Sequence, residues 1–215
     1  MKLVIGNKNY SSWSLRPWLA MKHIGLTFDE VVILMALPDS KANMLAYSPT
    51  GQVPVLIDGD TTVYETIAIL EYLNDRYPAA GLWPKDIAAR AHARAISAEM
   101  HAGFAALRRE CPMNMRRSVK QLNISTAAQM HAARIDALWC DARTRFGQGG
   151  DFLFGHFTNA DAMYAPVVNR FHVYDLPRSE TAQAYMNTMM ALPAWQEWAA
   201  SSRTETTVIA DSEIA

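Results

Sequence analysis

Residues 9–26 read "NYSSWSLRPWLAMKHIGL" and follow the apolar run "KLVIG" of residues 2–6. The short apolar run predicts a strand. The pattern from Ser14 to Ile24, stopped by Gly25, predicts a helix. Serines stand at 11, 12 and 14, where strand hands over to helix. One or two serines suffice to cap a helix by accepting a backbone N–H. A further hydroxyl at a helix N-terminus has a chemical use, because free N–H groups and the helix dipole favour an anion there. The stretch by itself leaves both readings open.

Outward from this stretch the pattern continues as "FDEVVIL" (28–34), a second strand. "PVLID" (54–58) and "TTVYE" (61–65) flank Gly59-Asp60, whose turn chemistry predicts a hairpin. "ETIAILEYLNDRY" (65–77) has helical spacing. The order β-α-β-(α)-β-β-α implies a mixed sheet with helices packed on it. Composition shifts at "YPAAGLWP", where Pro78, Gly81 and Pro84 mark a linker. Beyond it the pattern is helical throughout. Ala93, Ile96, Met100, Phe104, Leu107 and Cys111 recur on one face of a single long helix from Ile87 to Cys111. Further helices are expected over 125–146, 158–174, 179–191 and 193–201, with an irregular polar tail after Ser202. The expected organisation is a small α/β domain over 1–77, a linker over 78–84 and an all-helical domain over 85–215.

The 215 residues suit one large domain or two small ones. Half are hydrophobic and 19% are charged, which predicts an ordinary globular protein. The net charge of -1 argues against nucleic acid or an anionic membrane as partner. "RRECPMNMRRSVK" (108–120) is the basic exception, either a solvated helix end or an anion-recruiting segment. No stretch approaches the ~20 apolar residues of a membrane span. The run after Lys2 is broken by Asn7, Lys8 and Asn9, unlike a secretory leader, so a cytoplasmic location is expected. Cys111 and Cys140 form no CxxC and no metal spacing, so free thiols and no bound metal are expected.

Two later segments bear on chemistry. Pro54 opens a predicted strand, either as a plain edge-strand proline or with a cis Val53–Pro54 bond. The cis form turns the Val53 N–H and C=O outward, free to pair with an extended peptide. In "YETIAIL" (64–70), Glu65 and Thr66 occupy a strand-to-helix turn. Thr66 either caps the helix or joins the free N–H groups in holding a carboxylate, with Glu65 taking an ammonium. That pair suits the zwitterionic end of an amino acid. A hydroxyl, a strand-like edge and a zwitterion clamp together suit a small peptide bearing a thiol.

At these residues the chain resembles the cytosolic glutathione S-transferases over nearly its whole length. Ser11 to Arg16 resemble the serine-type first loop, Ser-x-x-x-x-Arg. "QVPVL" is similar to the cis-proline element, and "YETIAILEYL" to the Glu-Ser motif, with Thr66 for the commoner serine. "YP…LWP" looks like the interdomain linker. Thr158 and Asp161 resemble the capping motif of the helical domain. The first loop is closest to the zeta class, although Trp13 and Leu15 replace that pattern's cysteine and tryptophan. The resemblance implies a thioredoxin-like N-terminal domain, glutathione as co-substrate, Ser11 as the catalytic donor and a homodimer. It implies glutathione contacts at Ser11, Gln52, Val53, Pro54, Glu65 and Thr66. Lys41 and Gln52 are the candidates for the glycine carboxylate. Trp13, His101 and Arg108 are candidates for the electrophile. Arg94, Ser97, His101 and Arg108 are expected on one face of the long helix, as cleft wall or subunit contact. Two alternatives stay open: a zeta-like isomerase of the maleylacetoacetate type, and a non-enzymatic binding domain. No cysteine lies in the first loop, and Cys111 reads as a small apolar core residue.

Overall fold

The computed structural model describes residues 1–214. The first domain runs β1 (Lys2–Ile5), α1 (Ser12–His23), β2 (Asp29–Val32), α2 (Ser40–Leu45), β3 (Val55–Asp58), β4 (Thr61–Tyr64) and α3 (Thr66–Arg76). Its sheet has the order β2-β1-β3-β4, with β1 parallel to β2 and the other pairs antiparallel. This is the mixed, thioredoxin-like sheet expected from the sequence. Leu3, Ile5 and Leu56 pack with the buried α1 side chains Leu15, Trp18 and Leu19.

A 3-10 turn over Pro78–Ala80 and the buried Leu82 and Trp83 lead into the helical domain. That domain comprises α4 (Ile87–Ala102), α5 (Ala105–Glu110), α6 (Thr126–Phe146), α7 (Asn159–Val173), α8 (Glu180–Ala191) and α9 (Pro193–Thr204). The single helix expected over 87–111 is two helices. Gly103 caps α4 with extended backbone, and Phe104 takes a left-handed conformation at φ 58°. The turn keeps the Phe104 ring buried while α5 leaves in a new direction. Arg108 therefore does not continue the face of Arg94, Ser97 and His101.

α7 is the central helix, buried along almost its whole length against α1, α4 and α8. Its start is a capping box between Thr158 and Asp161. Asp161 Oδ2 accepts the Thr158 N–H at 2.7 Å and the Thr158 hydroxyl at 3.0 Å, and Oδ1 accepts the Leu153 N–H at 3.1 Å. Hydrogen bonds join the two domains across this helix. Asn159 Nδ2 donates to the Leu70 carbonyl at 3.0 Å, and Arg16 Nε donates to the Met163 carbonyl at 2.8 Å. One hydrophobic core runs through both domains.

The tail beyond α9 is irregular apart from a 3-10 turn over Ala210–Ser212, close to the expectation. α9 extends to Thr204, and the segment beyond folds back over the β1–α1 loop. The Glu205 carboxylate accepts the N–H groups of Lys8 at 2.5 Å and Asn9 at 2.9 Å. Arg116 and Arg117, expected either in solvent or recruiting anions, hold this tail instead. Arg116 reaches the carbonyls of Glu205 and Thr207, and Arg117 that of Ile214.

Candidate active site between the domains

A cleft of about 440 Å³ lies where the β1–α1 loop, the approach to β3 and the start of α3 face α4. It brings together Ser11, Trp13 and His101 with Gln52, Val53 and Pro54. Glu65 and Thr66 line it as well. Tyr10, Met35, Met44 and Thr50 also line it, and no motif in the sequence marks them.

Ser11 precedes the first turn of α1, yet its side chain caps nothing. Its hydroxyl donates to Ser14 Oγ at 2.7 Å, and Ser14 Oγ accepts the Gly6 N–H at 3.1 Å. Both serines are buried. Ser14 is therefore no cap: it lies inside the helix as a buried acceptor. The N–H groups of Ser11 and Ser12 are taken by the carbonyls of Asn7 and Tyr10. Among the described residues the Trp13 N–H has no partner. The Tyr10 hydroxyl is bound to Glu213 at 2.5 Å and by Arg116 at 2.8 Å, so it is not a free donor for the cleft.

Proline explains how α3 is docked. Pro17 lies within α1 and has no N–H for the carbonyl four residues back, which belongs to Trp13. The Thr66 hydroxyl fills that vacancy, donating to the Trp13 carbonyl at 3.0 Å. Thr66 is thereby fixed beside the Ser11 loop, with its hydroxyl proton already committed. The free donors at this helix start are backbone N–H groups, which suit an anion. Glu65 sits just before them at φ 75°, ψ 127°. A non-glycine residue held there costs of order 1–3 kcal/mol, a cost that clusters at binding sites.

The Val53–Pro54 bond is cis, as the peptide-binding reading requires. Among the described residues the Val53 N–H and C=O have no hydrogen-bond partner. Lys41 stands elsewhere than expected. Its ammonium donates to the carbonyls of Thr50 at 2.7 Å and Gly51 at 3.3 Å, and it does not line the cleft. Gly51 has φ 58°, a left-handed conformation that favours glycine at this turn.

The opposite wall is aromatic, with two arginines packed behind it. The His101 ring meets Trp13 edge-on at 5.3 Å. Arg16 lies 4.1 Å and Arg108 5.3 Å from the Trp13 ring centre. Arg108 Nη1 donates to the His101 carbonyl at 3.2 Å, so Arg108 supports this wall without lining the cleft. Burial pushes the Arg16 guanidinium well below its usual pKa, and neighbouring Arg170 and Arg108 add to the effect. Arg94 is not an open contact. Its guanidinium pairs with Glu71 at 3.0–3.1 Å across the domain boundary. Cys111 is buried, which pushes its thiol up to about 11 and makes it a core residue, as expected.

A thioredoxin-like sheet, a helical domain and a cleft between them define a two-domain, thioredoxin-like class of fold. Within that class, the glutathione S-transferase N-terminal domain model matches residues 10–76 and the C-terminal domain model residues 88–201. The chain belongs to the glutathione S-transferase family. It is 26% identical over 199 residues to glutathione S-transferase Z2 of Arabidopsis thaliana, covering 88% of each chain. It is 34% identical over 93 residues to a probable maleylacetoacetate isomerase of Caenorhabditis elegans. That match spans 43% of this chain and 42% of the relative. Among solved structures it resembles a glutathione transferase homolog from Burkholderia gl BGR1 with bound glutathione. The TM-score is 0.72 at 24% identity, covering 95% of this chain and 98% of that one. A holo maleyl pyruvate isomerase, a bacterial zeta-class member, superposes with TM-score 0.70 at 20% identity over 96% of this chain and 100% of that one. These two likenesses concern the fold.

Proposed function

We propose that this protein is a serine-type glutathione transferase in which Ser11 stabilises the glutathione thiolate for attack on a small electrophile. The observation carrying this reading is the convergence on one cleft of the Ser11 hydroxyl, the unpaired Val53 backbone and the N–H groups at the start of α3. In this reading the Val53 backbone pairs with the cysteinyl unit of the peptide. Glu65 takes its ammonium, and the N–H groups at Thr66 take the γ-glutamyl carboxylate. Gln52 binds the glycine carboxylate, and Lys41 sets the shape of the loop before it.

A free cysteine titrates near ~8.5, so glutathione is mostly thiol at neutral pH. A hydrogen bond to a charged group contributes ~1.5–3 kcal/mol, and a helix N-terminus adds ~0.3–1. At about 1.36 kcal/mol per unit, the thiol pKa falls by about one to three units on binding. Ser11 acts as a donor to sulfur; among the described residues no base is placed to make it a nucleophile, since its only side-chain partner there is Ser14.

A second reading rests on the positive charge of Arg16 and Arg108, which pack on Trp13 behind the cleft wall and favour an anionic second substrate there without contacting it. In that reading the thiolate adds to a cis-enedione acid and leaves again after bond rotation, a glutathione-dependent isomerisation. The zeta-class names among the relatives raise its weight. A cytoplasmic, homodimeric protein suits both readings.

The test is calorimetric titration with glutathione, followed by turnover with 1-chloro-2,4-dinitrobenzene and with maleylacetoacetate. Binding with turnover of the first compound supports the transferase. Turnover of the second alone favours the isomerase, and binding without turnover of either leaves a glutathione-binding domain. Absence of binding overturns the reading.

A further inference from the structure

The loop that carries Ser11 into the cleft is fastened from the helical domain. Its Lys8 carbonyl accepts Trp198 Nε1–H at 2.8 Å, and its Asn9 carbonyl accepts the Met115 N–H at 3.2 Å. Asn9 Nδ2 donates to Asn114 Oδ1 at 3.0 Å, and Asn9 Oδ1 accepts the Arg116 N–H at 2.9 Å. The Lys8 and Asn9 N–H groups are both given to Glu205, one to each carboxylate oxygen. Both residues are buried, so water is a poor substitute for that carboxylate. Among the described residues the carboxylate has no cationic partner, and Glu205 does not line the cleft. Two residues after Asn9 comes Ser11, whose N–H turns back to the Asn7 carbonyl at 2.8 Å.

Hydrogen bonds to an ionised acceptor are about twice as strong as neutral ones, and a single side chain here holds two of them. A site group works only when it is held within about 0.5 Å of its productive place, by neighbours that are themselves fixed. We propose that Glu205 is a positioning residue: it holds the Lys8–Asn9 turn from behind, so that the Ser11 hydroxyl meets the sulfur of glutathione. The proposal rests on the serine reading given above. Glu205 touches no substrate and acts through the loop alone. The sign of its effect separates positioning from charge. Loss of a nearby negative charge favours the thiolate and lowers the thiol pKa. Loss of positioning weakens the Ser11 bond to the thiolate and raises that pKa.

The test uses the full chain and follows the ultraviolet absorbance of the bound glutathione thiolate against pH, with turnover and denaturant unfolding beside it. Glu205→Gln keeps the side-chain length and one acceptor, but turns its amide donor against a backbone N–H. The pKa of the bound thiol should rise by about one unit, and kcat at neutral pH should fall about three- to tenfold. Glutathione affinity at low pH, where the thiol form binds, should stay within about threefold. Glu205→Asp keeps the charge on a shorter chain and should raise the pKa by less. Glu197→Gln breaks the 2.8 Å pair with Lys22 between α9 and α1, outside the cleft, and should leave the titration unchanged. In a Ser11→Ala background, Glu205→Gln should add nothing. If Ser11→Ala raises the thiol pKa and neither Glu205 variant does, the positioning proposal fails and the serine reading stands. If Ser11→Ala leaves the titration unmoved, the serine reading fails and takes the proposal with it. Lower unfolding stability with an unmoved thiol pKa, a fall in that pKa, an equal shift in Glu197→Gln, or a shift that persists without the Ser11 hydroxyl also overturns the proposal.

Discussion

The Ser11 hydroxyl is bonded to the Ser14 hydroxyl at 2.7 Å, and Ser14 is anchored in turn by the Gly6 N–H. With its acceptor capacity met by Gly6, Ser14 still has a proton to give. In the proposed reading a thiolate at Ser11 accepts the Ser11 hydrogen bond in place of Ser14 Oγ, and the Ser14 hydroxyl can then donate to Ser11 Oγ. Ser11→Ala should lower turnover about ten- to a hundredfold at neutral pH while leaving glutathione affinity nearly intact. Raising the pH should partly rescue it. Ser14→Ala should lower turnover about fivefold, equivalent to one net hydrogen bond of ~1 kcal/mol. It should also destabilise the fold, because the Gly6 N–H loses its buried partner. Ser12→Ala should be close to wild type. The check is turnover against pH for all three; an inactive Ser12→Ala with an active Ser11→Ala contradicts the assignment. If all three stay active, the unpaired Trp13 N–H becomes the leading donor.

Glu65 offers a separate handle on binding. Glu65→Gln removes the charge proposed to face the ligand ammonium but keeps the side-chain shape. Glutathione affinity should fall about ten- to a hundredfold, matching ~1.5–3 kcal/mol for a charge-assisted bond. Turnover at saturating glutathione should change little. Calorimetry that finds unaltered affinity removes Glu65 from the site.

Asp161 links stability to pH. Burial raises its carboxyl to about 6 against the opposing hydrogen bonds from Leu153 and Thr158. A raised carboxyl pKa means that the folded state keeps a proton the unfolded chain has already lost. The stability tied to this proton is fully present below about 4 and is lost as pH rises through about 6. Relative to Asp161→Asn, wild-type stability should therefore fall by roughly 3 kcal/mol between these limits. Thr158→Ala should cost ~0.5–2 kcal/mol by weakening the same cap. Denaturant unfolding at several pH values tests both; a wild-type advantage that grows with pH contradicts the Asp161 assignment.

The two thiols should behave differently. Cys111 is buried and held protonated, whereas Cys140 is partly exposed, with its sulfur 3.1 Å from the Ser179 hydroxyl. Iodoacetamide should modify Cys140 alone in the native protein and both after unfolding. Mass spectrometry of native protein labelled at Cys111 contradicts this.

Assembly is the last expectation. Sedimentation at micromolar concentration should show a species of twice the chain mass, and a single monomeric species contradicts the homodimer.

Much of this protein was legible in local patterns. The strand and helix periods, the Gly59-Asp60 hairpin, the Thr158–Asp161 cap and the cis-proline element depend on residues close in sequence, where steric and hydrogen-bonding rules act directly. Val53, Glu65 and Thr66 could be proposed because each stands at a strand or helix start with its own chemical signature, whereas Ser11 is singled out among three serines by the resemblance to the serine-type first loop. What local pattern could not reveal was decided by contacts between distant residues. The apolar stripe from Ala93 to Cys111 keeps helical spacing across the break at Gly103–Phe104, because both helices bury the same face. Lys41 turned to the carbonyls of Thr50 and Gly51, and Arg94 to Glu71, because a long cation takes the nearest acceptor that folding delivers. The tail on Lys8 and Asn9 is set by Glu205, nearly two hundred residues away in sequence. Ser14 as the partner of Ser11 needed the buried Gly6 N–H, a donor left unpaired by the strand and supplied only when the sheet and α1 pack together.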